Sequence, residues 1–283
     1  MTSGYVDLHT HTCASDGSLS PDQLIDLANK IGLLAIAITD HDTLDGCVKA
    51  LTVSFASPLE ILPGVEISAD VPAGCMHVLG YLVSFNDSQL LELLRRLQVG
   101  RDDRNRKMVS RLRDLGIDLT YEEVAEASKG GQVGRPHFAE VLINKGVVRS
   151  FDEAFSKYLG KDRPAYIDRF RPSPTEAIRV IRAAGGVAVL AHPYTLERAD
   201  VDGFGRMLKH LKTLGLQGME VYYPDHPPRR IAAYERLARR YGLVATGGTD
   251  FHGEAKPGIH LGVGKGDLRV PYSVVDALKA CRR

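Results

Sequence analysis

The stretch Asp7-Leu8-His9-Thr10-His11 is the one on which the fold of this chain turns. It completes an apolar run, Tyr5–Thr10, of strand character. Residues two apart on a strand point to the same face, so both imidazoles can reach one ion. Alone, such a pair could equally be two surface histidines. Other runs repeat the arrangement. Leu34–Thr39 ends in Asp40-His41. Glu60–Leu62 leads through Pro63-Gly64-Val65 to Glu66. His77–Val83 begins on a histidine. Val187–Ala191 ends in His192-Pro193, and Leu243–Thr246 leads into Gly247-Gly248-Thr249-Asp250-Phe251-His252. Asp250 and His252 repeat the i, i+2 spacing of His9 and His11. Six of the ten histidines therefore adjoin expected strands, most with acids close by. In a β/α barrel the C-terminal strand ends form one rim, where side chains far apart in sequence converge. Unrelated loop residues would give one such coincidence, not five or six.

The remaining elements fit that frame. Gly218–Tyr222 is a seventh strand, and the Val/Ile/Leu content of the strands suits burial on both faces, as in a parallel sheet. Between them lie helices at Pro21–Ile31, Pro174–Ala184, Phe204–Leu214 and Arg229–Tyr241. Ser20 is placed as an N-cap with Pro21 at the first helical position, and Gly185-Gly186 stops the second helix. The alternation predicts a β/α barrel or an open α/β sheet. From Asn86 to Pro164 the strand pattern gives way to helices at Asp87–Leu115, Tyr121–Ala127, Arg135–Asn144 and Phe151–Tyr158. The expected organisation is a barrel of residues 1–85 and 165–283, with residues 86–164 as an α-helical insertion lying over it as a substrate cap.

Composition sets the outer limits. The chain has 283 residues, 44% hydrophobic and 25% charged, too apolar for a disordered chain. Its longest apolar runs, such as Leu33–Ile38, fall far short of the roughly 20 residues of a membrane helix. The start, Met1-Thr2-Ser3-Gly4-Tyr5, shows no signal peptide, and a cytoplasmic location is expected. Lys+Arg 36 against Asp+Glu 35 argues against an extended nucleic-acid or membrane surface. Cys13, Cys47, Cys75 and Cys281 form no CxxC pair, so they read as reduced thiols rather than zinc ligands. Oligomeric state is open.

Imidazole plus carboxylate ligation suits Zn, Mn or Fe, and the candidates outnumber what one ion needs. Two or three divalent ions follow, in clusters that commonly hydrolyse phosphate esters or amides. The ordered set His9-x-His11, Asp16, Asp40-His41, Glu66, His77, His192-Pro193 and Asp250-x-His252 resembles the PHP (polymerase and histidinol phosphatase) superfamily over nearly the whole chain. The resemblance implies a distorted seven-stranded β/α, TIM-like barrel. Arg101, Arg104, Gly134-Arg135-Pro136-His137-Phe138-Ala139 and Lys157-Tyr158-Leu159 resemble the branch that hydrolyses nucleoside 3′,5′-bisphosphates and trims RNA from its 5′ end. By analogy His9, His11, Glu66 and Asp250 form a first metal site. Glu66 bridges to a second site completed by His77 and His192. Asp16, His41 and His252 form a third, with Asp16 where many members carry His.

The chemistry expected is in-line attack by a metal-bound hydroxide, with no covalent adduct, on a small nucleotide or short oligonucleotide. His41 or Asp40 could give a proton to the leaving oxygen, or Asp40 could orient a ligand histidine. Arg135 and His137 open a helix, a place suited to phosphate. Arg101 and Arg104 continue the apolar side of their helix and are expected at the barrel mouth; the alternative is a solvated basic stretch over Arg95–Arg113. His226, after a strand, could contact substrate, whereas His210 reads as a surface residue and His260 as structural. Three rivals stand beside this reading. One is an amidohydrolase, which would want a strand-end lysine not evident here. The others are a histidinol-phosphatase-like enzyme and a non-catalytic metal-binding module.

Overall fold

A computed structural model describes residues 4–53, 58–196 and 201–282; Met1–Ser3, on which part of the leader reading falls, lie outside them. The strands form where apolar residues can be buried on both faces. Val6, Leu8, Ala35, Ala37, Leu62, Leu79, Tyr81, Val187 and Val189 gather in one cluster. Ile36, Ile38 and Ile61, on alternate positions, pack instead with Leu24, Ile25 and Ala28. The strands are β1 (Tyr5–Thr10), β2 (Ala35–Ile38), β3 (Glu60–Ala69), β4 (Met76–Tyr81), β5 (Val187–Leu190), β6 (Gly218–Tyr222), β7 (Val244–Gly247) and β8 (Val270–Pro271).

They make one sheet in the order β7-β6-β5-β4-β3-β2-β1-β8. The chain leaving β7 curls it into a nearly closed barrel. Phe251 N–H donates to His9 O at 3.3 Å and His11 N–H to Phe251 O at 2.9 Å. Gly248 permits that approach: a Cβ there would run into the Cβ and backbone nitrogen of His9. All seven expected strands are present. The eighth, β8, is a two-residue antiparallel partner of β1 that the sequence reading lacked.

The expected parallel order is broken in one place. β4 runs antiparallel to both β3 and β5. β3 extends through Pro63-Gly64 to Ala69, seven residues past its expected end, and so leaves a connection too short for a helical crossover. The reversal brings the start of β4, with His77, to the rim that the other strands reach with their C-terminal ends.

The helices are α1 (Pro21–Lys30), α2 (Asp45–Val53), α3 (Ser88–Asp114), α4 (Tyr121–Ala127), α5 (Arg135–Asn144), α6 (Phe151–Ala154), α7 (Pro174–Ala183), α8 (Val201–Thr213), α9 (Pro228–Tyr241) and α10 (Ser273–Ala280), with a π turn at Phe155–Leu159. Ser20 caps α1 in a reciprocal capping box with Gln23. α3 joins two cores. Leu90, Leu93, Leu94 and Leu97 pack with Ile178 and Ile181 of α7. Met108, Val109 and Leu112 pack instead with Val124, Phe138, Ala139, Leu142 and Leu159. Among the described residues no helix is long and apolar enough to cross a membrane.

Candidate metal centre

β1 delivers His9 and His11 to the rim, both without exposed surface. Their Nε2 atoms lie 3.4 and 3.3 Å from Glu66 Oε2, and 3.4 and 3.1 Å from Asp250 Oδ1. The other oxygen of Glu66 faces a second group: Oε1 is 2.8 Å from His77 Nδ1 and 3.0 Å from His192 Nε2, which are 3.2 Å from each other. A third group surrounds Asp16. Its Oδ1 is 3.3 Å from His252 Nε2 and 3.9 Å from His11 Nδ1, and its Oδ2 is 3.9 Å from His41 Nε2. His41 joins two groups, since its Nδ1 lies 2.9 Å from Glu66 Oε2 at angles that do not make a hydrogen bond.

The donor set suits divalent cations on an observation of its own. His9 Nε2, His11 Nε2, Asp16 Oδ1, His41 Nδ1 and Glu66 Oε2 are buried and have no hydrogen-bond partner. Buried polar atoms are ordinarily paired; here His9 Nε2, His11 Nε2 and His41 Nδ1 face Glu66 Oε2, and Asp16 Oδ1 faces His252. Three sets of donors each lie within 4.8 Å: His9, His11, Glu66 and Asp250; His41, Glu66 and His77; and His11, Asp16, His41 and His252. His192 reaches the second set through Glu66 Oε1.

Burial opposes the charge of Glu66, but the facing imidazoles of His41, His77 and His9 outweigh it and hold its carboxyl well below the usual range. Asp250 is held low in the same way, burial being outweighed by Lys256, His9 and His252. For His41 burial wins, and the imidazole is pushed down to about 4 despite Glu66 and Asp16. The backbone is bent to serve this rim: His192 and Asp250 hold φ values of 22° and 52°. Such angles are costly for non-glycine residues and persist where surrounding structure imposes them. Asp250 Oδ2 is tied by Tyr223 Oη–H and Lys256 Nζ–H, both at 2.8 Å, which leaves Oδ1 for the histidines.

A cleft of about 450 Å³ opens beside the cluster. Asp16, His41 and His77 line it from the barrel, and Arg101 and Arg104 of α3 and Arg135 of α5 from the helical segment, with Phe155, Tyr166, Arg169 and Arg171. Arg101 Nε and Arg169 Nη2 share Asp42 Oδ2, at 2.8 and 3.2 Å. Among the described residues Arg104 donates only to the neutral Asn105 Oδ1, at 3.0 and 2.7 Å. Arg135 donates to Leu159 O at 3.2 Å, its guanidinium 5.5 Å from the Phe155 ring centre and 5.8 Å from that of Tyr166. Burial, joined by Arg101, Arg169 and Arg135, lowers the Arg104 guanidinium well below its ordinary value. Burial and the neighbouring Arg101 bring Arg169 to about 9.

Other expected site residues sit elsewhere. Asp40 accepts from Thr12 N–H, Thr12 Oγ1–H and Ser15 Oγ–H, each at 2.7 Å, and stands outside the three donor sets. His137 caps α5, its Nδ1 accepting from Gly134 N–H at 2.9 Å, and lines a smaller neighbouring cavity with Asp16. His226 is enclosed by the rings of Tyr194, Tyr223 and Tyr234, donates from Nδ1 to Val221 O at 2.8 Å and does not line the cleft. The sequence reading missed Asp42, Arg169 and Arg171, which lie in irregular chain without a pattern. It also missed Glu220, which did carry a signal: an acid within the apolar run Gly218–Tyr222.

Comparison with known proteins agrees with this geometry. The family described as PHP domain matches residues 7–158. A 3′,5′-nucleoside bisphosphate phosphatase from Chromobacterium violaceum is 31% identical over 260 residues, 91% of this chain and 90% of that protein. The 5′-3′ exoribonuclease Rnm of Escherichia coli is 34% identical over 260 residues, 90% of this chain and 87% of that one. Among solved structures, a chain from Bifidobacterium adolescentis described as a metal-dependent phosphoesterase superposes with a TM-score of 0.88. It is 31% identical, with 99% of this chain and 97% of that one covered.

Proposed function

This chain belongs to the PHP domain family and is a hydrolase of phosphate esters, and from that premise we propose that its substrates are nucleotides. The bonds cleaved are the 3′-phosphate of nucleoside 3′,5′-bisphosphates, the 5′-end mononucleotides of short RNA, or both. One observation carries this reading: Arg104 and Arg135 are largely buried guanidiniums without a carboxylate partner among the described residues, and they line the same cleft as Asp16, His41 and His77. Buried cations are ordinarily paired, so this wall is suited to an anion. A second phosphate, beyond the one hydrolysed, answers that need through charge-assisted, bidentate contacts.

We assign two or three divalent ions, Mn, Zn or Fe, to His9, His11, Glu66 and Asp250, to Glu66, His77 and His192, and to Asp16, His41 and His252. When bound, such ions supply Lewis acidity, acidifying water and neutralising charge on phosphoryl oxygens. His41 turns one nitrogen to Glu66 and the other to Asp16, which suits a ligand better than a proton donor. Asp40, with three donors on its carboxylate, suits bracing of the Thr12–Ser15 loop behind His11. Residues 86–164 then act as a cap that brings Arg101, Arg104 and Arg135 over the barrel of residues 1–85 and 165–283.

Product release in Mn tests the proposal: inorganic phosphate from adenosine 3′,5′-bisphosphate, AMP and histidinol phosphate, and mononucleotide from a short 5′-phosphorylated RNA. The bisphosphate or the RNA should lead in kcat/KM. Equal or faster release from AMP or histidinol phosphate overturns the nucleotide-end assignment.

A further inference from the structure

Glu220 lies on β6 with no exposed surface and belongs to none of the three donor sets. Its two oxygens are committed to different parts of the cluster. Oε1 is 3.0 Å from His9 Nδ1, and Oε2 accepts from the backbone N–H of His192 at 2.7 Å. An ionised carboxylate only accepts hydrogen bonds, so the first contact places the ring proton of His9 on Nδ1. That leaves a bare lone pair on Nε2, the atom that sits 3.4 Å from both Glu66 Oε2 and Asp250 Oδ1 without a hydrogen bond. The second contact holds the backbone of His192 at its φ of 22°, the conformation that sets its Nε2 3.0 Å from Glu66 Oε1.

We infer that Glu220 is a positioning residue that fixes the tautomer of His9 and seats His192, so that one buried carboxylate prepares ligands of two metal sites at once. The inference rests on the reading of His9 and His192 as metal ligands. Partners behind ligand histidines fix tautomer and ring orientation in this way.

Glu220→Gln separates this role from mere filling of the core. The amide has nearly the same shape, but only one arrangement satisfies its neighbours. Its oxygen must accept from His192 N–H, and its NH₂ must then donate to His9 Nδ1. That makes Nδ1 an acceptor and moves the proton onto Nε2, the metal-facing atom. The reverse arrangement sets two donors against each other at His192.

The test uses the full chain, with diamagnetic Zn²⁺ bound for the spectra, since a cation removes the second ring proton that Glu66 and Asp250 favour, and metal-free for the titration. Long-range ¹H–¹⁵N spectra of the imidazoles, with His9 assigned by its loss in His9→Gln, should show an Nδ1–H tautomer in the wild type and Nε2–H in E220Q. Mn²⁺ titration by calorimetry should then show E220Q binding about 10–100-fold more weakly and holding one ion fewer per chain. An Nε2–H His9, or one without a proton on Nδ1, in the Zn²⁺-loaded wild type overturns the inference without any variant, so the test survives even if E220Q fails to fold. Wild-type Mn²⁺ affinity and stoichiometry in a folded E220Q also overturn it. A wild type that binds no Mn²⁺ defeats the ligand reading beneath, and the two failures are thereby told apart.

Discussion

The two walls of the cleft are charged by opposite means. The barrel wall sets imidazole nitrogens against carboxylate oxygens, with five buried atoms left unpartnered and converging. The helical wall sets guanidiniums against one another, with Asp42 taking Arg101 and Arg169 and, among the described residues, no carboxylate taking Arg104. The guanidiniums of the helical wall would separate if the scaffold let them, whereas the barrel wall gathers donor atoms that make no hydrogen bonds to each other. One is suited to cations and the other to an anion, and a phosphorylated nucleotide bound to cations answers both. The difference teaches that substrate selection and bond cleavage have separate physical seats, so substitutions on the two walls should fail in different ways.

The largest effect should come from the barrel wall. Glu66 faces His9, His11 and His41 with one oxygen and His77 and His192 with the other. Glu66→Ala should cut kcat/KM by roughly 10³-fold or more and lower the Mn²⁺ bound per chain, because it removes the bridge between two ligand sets. Retained metal with a pure KM effect would break the division between the walls. Next, Phe138→Ala should destabilise the helical wall by about 3–5 kcal/mol, since this fully buried ring sits in the core of that segment. Denaturant unfolding should show an early transition, while Mn²⁺ binding stays at the wild-type level. Loss of metal together with the helical core would mean that the walls are one cooperative unit.

Arg104→Ala and Arg135→Ala come third. A charge-assisted hydrogen bond to phosphate is worth about 1.5–3 kcal/mol, so KM for adenosine 3′,5′-bisphosphate should rise roughly 10–100-fold. KM for AMP should move less, and metal content should not change. An equal rise for both substrates would place the guanidiniums on the reacting phosphate rather than on a second one.

The barrel wall was far more legible in the sequence than the helical one. Strands buried on both faces announce themselves as apolar runs, and the polar residue ending each run stands out: His41, His192 and Asp250 were found that way. Pro63 and Gly64 hid the rest of β3, because both usually interrupt a strand, and with it the reversal of β4. β8 is too short to make a pattern. α2 escaped because Asp45–Val53 carries no strong cap or periodicity. Arg169 could not be found at all: its position depends on Asp42, 127 residues away, and no local rule links an arginine in irregular chain to a carboxylate that distant. Arg101 and Arg104 were ambiguous for the opposite reason, since a basic helix face and a basic pocket are written with the same residues.

α3 itself resolves that ambiguity and supplies the smallest expected effect. Arg101, Arg104, Asn105 and Met108 are buried along one side. Arg106 and Lys107, on the other side, pair with Asp102 and Asp103 at 3.0 and 2.6 Å, with side chains about 60% exposed. Exposed i, i+4 pairs contribute little to stability, and water screens their charge from the cleft. Lys107→Ala should therefore leave KM unchanged and shift Tm by no more than about 1 °C. Arg104→Ala, one helical turn away but buried at the cleft, should move KM by the full factor given above. If Lys107→Ala raised KM as much, the helical wall would act by its summed positive field and not by guanidiniums placed in a pocket. Raising the salt concentration would then weaken substrate binding in the wild type and remove the difference between the two variants.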